Sequence, residues 1–328
     1  MLQDEEAVTV SADIQKPVIP IVTILVCTGL SILFMNTGIL SFFYLVPLGY
    51  AIIVSGSFLH TFAIASIAGI IFSIIKSAAG ANAGTGIMLE IVYLSVIIFG
   101  FTWIMGGKRL REVYRFVIAS IAGAIVTLIY INSPQVKFYE YFNEIAASLL
   151  NNSSESISDS GSAKGIFGLQ MFSPEQMTET AKSFIMRGGA LISMFFIFFV
   201  NRQIANVFFS IIKKRKKDLG LISFFAPSNI IWVLSGAIAT ILISGMFKID
   251  MIGILAWNVF TVCVIIYLAQ GSGVIMYWLS TRTNIFRLVI SVLFVVILFS
   301  PISIVALAAV VILGIADIWV SFRIPRNV

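Results

Sequence analysis

Residues 251–280 read MIGILAWNVFTVCVIIYLAQGSGVIMYWLS, a run without a single Asp, Glu, Lys or Arg. A helix needs roughly 20 mostly apolar residues to cross the hydrocarbon core of a bilayer. A membrane strand would alternate apolar and polar residues, whereas this run is continuously apolar. In lipid every backbone N–H and C=O must be satisfied within the segment or a closed barrel, so the run reads as a helix.

Working outward with the same ruler places further spans near 17–35, 39–58, 60–79, 87–106, 115–132, 184–210, 221–246, 284–299 and 302–321, about ten in all. Composition agrees. Of 328 residues, 59% are hydrophobic and 11% charged, with mean hydropathy +1.04. Soluble domains carry about 25% charged residues, so lipid has to be the main solvent. The expected fold class is all-α, a polytopic transmembrane helical bundle with both termini cytoplasmic.

Charge placement supplies the orientation. The formal net charge of +6 sits in short loops. Lys108, Arg109, Arg111 and Arg115 mark one, and Lys213 to Lys217 a second. Arg282, Arg287, Arg323 and Arg326 mark a third loop and the C-terminus. Threading through ten spans puts all of them on one side, which the positive-inside rule makes cytoplasmic. Charge used this way speaks against a nucleic-acid partner and for the lipid bilayer.

The long segment 133–183 falls on the opposite side and is acidic. It separates an N-terminal membrane half, 17–132, from a C-terminal half, 184–328, while 1–16 reads as a cytoplasmic tail. Within it, Val136, Phe138, Phe142, Ile145 and Leu149 recur at helical spacing, predicting an amphipathic helix over 135–150. Asn151 to Lys164 is rich in Ser, Asn and Gly and predicts a flexible stretch. Ser173, Pro174 and Gln176 predict a helix start closed by a capping box.

The chemistry available to such a chain is restricted. His60 is the only histidine, Cys27 and Cys263 lie inside apolar runs, and no metal-ligand spacing occurs. Gly80 to Gly86 lacks the Gly-Lys-Ser/Thr ending of a phosphate loop. No enzyme activity, metal or cofactor is expected. Phe62–Gly69 and Phe116–Gly123 echo each other, each with a small-xxx-small pair (Ala65/Gly69 and Ala119/Gly123) suited to close helix packing.

Ionisable groups at membrane depth are costly and mark function or pairing. Lys76, Glu90 and Arg187 lie at the outer ends of spans, where together they predict either an ordinary ion pair stapling helices or a site for a small anionic solute. Lys248 lies on the same side. Asn258 and Gln270 are twelve residues apart on one helix, so they point about 120° apart and serve different neighbours. Asp317 and Arg287 sit at matching depth near the cytoplasmic end, predicting an ion pair. Arg323, six residues beyond Asp317, would point away on an unbroken helix and snorkel.

The C-terminal half also carries a resemblance. Phe224-Phe225-Ala226-Pro227, Trp257-Asn258, Tyr267-Leu268-Ala269-Gln270-Gly271, Leu313-Gly314-Ile315-Ala316-Asp317-Ile318-Trp319 and Phe322-Arg323 resemble the YybS-like family. This is a bacterial multi-pass group defined as a domain of unknown function. The resemblance implies structural roles for Pro227, Asn258, Gln270, Gly271, Asp317 and Arg323, and a place in the bacterial cytoplasmic membrane. The family is grouped with substrate-binding subunits of energy-coupling-factor transporters and with envelope proteins resembling the rod-shape factor MreD. It therefore implies small-molecule binding or transport beside ATPase and transmembrane partner subunits. The alternative is a non-transporting scaffold for envelope or division machinery, docking through 133–183.

Overall fold

The computed structural model describes residues 21–78, 85–107, 110–134, 136–158, 173–213, 221–283 and 302–323, with isolated positions between 286 and 300. Every element among them is helical: α1 Ile21–Met35, α2 Val46–Ser55, α3 Phe58–Ala78, α4 Thr85–Gly106, α5 Glu112–Ile131, α6 Phe138–Ser158, α7 Pro174–Phe184, α8 Ala190–Lys213, α9 Ile230–Phe247, α10 Asp250–Ser280 and α11 Ser303–Val320. Seven are long and apolar enough to cross a membrane: α3, α4, α5, the α7–α8 rod, α9, α10 and α11. The N-terminal tail, the chain's last residues and most of the expected 284–299 span lie outside the described residues, as do Lys108, Arg109, Lys214 to Lys217, Arg287 and Arg326.

The described part of the first expected span, α1, is continuous helix to Met35; the second comes out differently. The 39–58 stretch is divided into a 3₁₀ segment, Gly38–Phe43, and the 10-residue α2. Pro47 is the cause, since its ring excludes the carbonyl of Phe43 and it has no N–H to continue the ladder. α2 then stops at Gly56, whose φ of +68° closes a left-handed cap on the Ile52 carbonyl.

Packing does not follow the division into halves. α8, from the C-terminal half, packs against α2 and α5. Phe198 on α8 sits in one core with Leu48, Ile52, Phe101 and Phe116. The approach is close: a Cβ on Gly49 would lie 2.8 Å from that of Ala205. Both small-residue echoes face neighbours, with Thr61, Ala65, Gly69 and Ser73 forming a buried stripe on α3. On α5, Ala119 abuts Gly100 of α4, and Gly123 faces Met194 of α8.

α9, α10 and α11 form a second group around Leu234, Cys263 and Tyr267, joined to the first through Ile265 and Ile266 of α10. α10 and α11 run parallel, because Tyr267, Gln270 and Trp278 meet Gly314, Asp317 and Phe322 in that order. Their outward surface is apolar, with Trp232, Met251 and Ile304 more than three-quarters exposed. A lipid solvent accepts such a face at little cost, whereas water does not.

In the acidic segment the helix start at Ser173 carries the full capping box. Ser173 Oγ accepts from the Gln176 N–H at 3.2 Å, and Gln176 Oε1 accepts from the Ser173 N–H at 3.0 Å. α6 runs on to Ser158 instead of ending near 150. It packs on α7 through Thr178–Asn143 and through Lys182 over the Tyr139 ring. Ile145, expected on its apolar face, is exposed.

Candidate functional site

Polar side chains gather at the two ends of the bundle, in different ways. One end carries the basic loops: there α4, α8, α10 and α11 finish and α5 and α9 begin. The other carries the acidic segment.

At the acidic end α7 does not run smoothly into α8. Ile185–Gly189 forms a single wide turn in which Arg187 (φ −91°, ψ 35°) and Gly188 (φ +109°, ψ −11°) leave helical geometry. A φ of +109° suits glycine alone, and an added Cβ would also lie 2.5 Å from the Thr261 hydroxyl of α10. Asn258 of α10 donates to the Met186 carbonyl at 2.9 Å, which ties α10 to the break. Arg187 reaches Asp250, in the first turn of α10, at 3.8 Å. Both side chains keep substantial exposure, 46% and 86%.

Lys76 and Glu90 form a separate pair between α3 and α4 at 3.6 Å, next to the stacked rings of Tyr93 and Tyr130. Arg187 does not join them, because the break packs against α10 and its acidic partner is Asp250. The three residues therefore occupy two ion pairs.

The basic end holds charges that are buried and almost fully partnered. Asp317, 1% exposed, accepts from Arg323 at 2.5 Å and 3.2 Å, from Gln270 Nε2 at 3.1 Å, and from the Phe322 N–H at 3.0 Å. Gln270 in turn accepts from the Ala226 N–H at 3.1 Å. Arg323 donates to the carbonyls of Leu221 and Ile222 and lies 4.0 Å from the centre of the Phe225 ring.

This corrects the expected course of Arg323. α11 ends at Val320, and Ser321 takes a left-handed φ of +50°, which turns the chain back so that Arg323 meets Asp317. Arg287, the expected partner, is outside the described residues. Pro325 was the available signal, since helices end near the residue preceding a proline.

Glycines let these elements meet. A Cβ on Gly271 would overlap the Val310 carbonyl, one on Gly314 the Tyr267 carbonyl, and one on Gly273 the Leu221 carbonyl. Pro227 closes the connecting segment and accepts from the Ile230 N–H as α9 starts.

A second buried group at this end was not anticipated. Arg202 of α8, 1% exposed, donates to Glu112 of α5 at 2.6 Å. Arg115 closes the end of α4 by donating to the carbonyls of Trp103, Ile104 and Leu110. Arg202 stands inside the apolar run SMFFIFFVNRQIANVFF, so the depth rule that singled out Arg187 would have found it. His60 bonds within its own turn to Ser57 at 2.6 Å. Among the described residues no three His, Cys, Asp or Glu side chains are placed to hold a metal ion.

Fold and site together define a class: an all-helical protein built on apolar helices of membrane length, with multi-pass character. Comparison with family models, curated proteins and solved structures gave no match.

Proposed function

We propose that the chain is a small-molecule binding or transport protein of the bacterial cytoplasmic membrane, taking a small anionic solute at the acidic, outward end. The observation that carries this reading is the helix break at Ile185–Gly189, which presents Arg187 between α8 and the start of α10. Interrupted membrane helices bring charged side chains and unpaired backbone groups to a solute, which is why transporters use them. Arg187 suits an oxyanion through its planar fork of donors, and the exposed Asp250 is the group such a solute would displace. The pair Lys76–Glu90 flanks this end.

The YybS-like resemblance supports the same class and adds ATPase and transmembrane partner subunits, which would supply the energy. A scaffold role for envelope machinery is the second reading. It is favoured by Tyr141 and Ile145, both exposed on the amphipathic α6.

Native mass spectrometry of the gently purified protein separates the two. Solute binding predicts a stoichiometric small-molecule adduct that Arg187→Ala abolishes and Lys76→Ala weakens. A bare mass accompanied by a reproducible envelope protein would overturn the transport reading.

A further inference from the structure

We infer that the turn after α11 is a latch that closes the basic end of the seam between the two helix groups, and that opening there requires Arg323 to leave Asp317. The segment 221–227 belongs to both groups at once. Phe224, 1% exposed, is part of the large core and meets Tyr114 of α5 edge-on at 5.6 Å. Its neighbours on the chain are held from the other side: the Leu221 and Ile222 carbonyls by Arg323, and the Ala226 N–H by Gln270.

Arg323 thus adds a side-chain clasp where three pieces of chain already meet: the end of α11, the 221–227 segment and, through Asp317 and Gln270, the middle of α10. The connection is switchable in principle because Arg323 arrives on a turn outside any helix, behind the left-handed Ser321. Withdrawing it moves a few residues and unwinds no helix. The Leu221 and Ile222 carbonyls would then lose a donor and the buried Asp317 its counter-ion, so the closed state is strongly preferred. The Phe225 ring, stacked on the guanidinium, holds its plane toward those acceptors. This inference concerns closure of the basic end and does not depend on what binds at the acidic end.

The test uses the full chain in inside-out vesicles, with Cys27 and Cys263 replaced by alanine and a membrane-impermeant maleimide as probe. One reporter, Ile266→Cys, lies in the seam on α10; a control, Ile98→Cys, lies in the core on α4. Arg323→Gln is expected to raise the labelling rate of the seam reporter roughly tenfold or more, because reaction follows the population of the open form. The control should change by less than about twofold. Gly273→Ala, which drives a methyl group into the Leu221 carbonyl and the Arg323 guanidinium, should produce the same selective rise while both residues of the charge pair are kept. Equal labelling with and without either substitution would overturn the latch. So would parallel labelling of both reporters, since Arg323 would then hold the whole fold together and not the seam.

Discussion

The basic and acidic ends of this bundle use similar residues to opposite effect. Each has an arginine, a carboxylate and an amide side chain from α10. At the basic end the arginine and carboxylate are at most 5% exposed, and every oxygen of Asp317 has a donor. At the acidic end Arg187 and Asp250 stand 3.8 Å apart with much of both side chains exposed. Burial sets the difference. A buried charge pair that loses one member leaves an uncompensated ion in a poor solvent, whereas an exposed pair exchanges its partner for water at almost no cost. The first arrangement holds a structure; the second leaves both charged side chains open to solvent.

Substitutions can break or sharpen this contrast. Asp317→Ala leaves Arg323 buried beside an empty space and should lower unfolding stability by about 3–5 kcal/mol, read from thermal melting in detergent. Gly271→Ala forces a methyl group onto the Val310 carbonyl and should cost about 3 kcal/mol, with Gly314→Ala close to it. Equality with a lipid-facing substitution such as Ala308→Leu would show that α10 and α11 do not touch as described.

At the acidic end the effects shrink. Asn258→Ala removes the donor to the Met186 carbonyl and should cost about 1–2 kcal/mol. Proteolysis should also rise selectively near Arg187, and an unchanged digestion pattern would deny that Asn258 holds the break. Ser173→Ala removes the cap of α7 and should cost about 1 kcal/mol, visible as faster amide exchange over Glu175 to Met177. Arg187→Ala should change stability by less than about 0.5 kcal/mol; a larger loss would place Arg187 among the structural charges, with Arg323.

Much of the fold was legible because apolar run length reports membrane helices directly. The start of α7 was legible because a capping box is a local device, with all its parts inside four residues. The first hairpin was harder to read. Its composition is that of a span, but Pro47 breaks the helical ladder and leaves two short pieces. The positions of Gln270, Gly271, Asp317 and Arg323 could be named from motif resemblance, yet their meeting could not. It depends on Ser321 turning left-handed and on α10 and α11 approaching at Gly271 and Gly314. The charged residues of the acidic end were legible as residue types at a depth. Which acid meets which base depends on helix neighbours that no spacing encodes, so Asp250 was not foreseen as the partner of Arg187.

The central claim is that the basic end is locked and the acidic end is the yielding one. Amide hydrogen exchange, followed by mass spectrometry on the full protein in lipid nanodiscs, tests it most directly. The account predicts that Met186 to Gly189 exchange at least about a hundredfold faster than Phe224 to Ala226 and Asp317 to Arg323, since exchange reports local opening free energy. Equal protection at both ends, or faster exchange at the Asp317–Arg323 clasp, would contradict it.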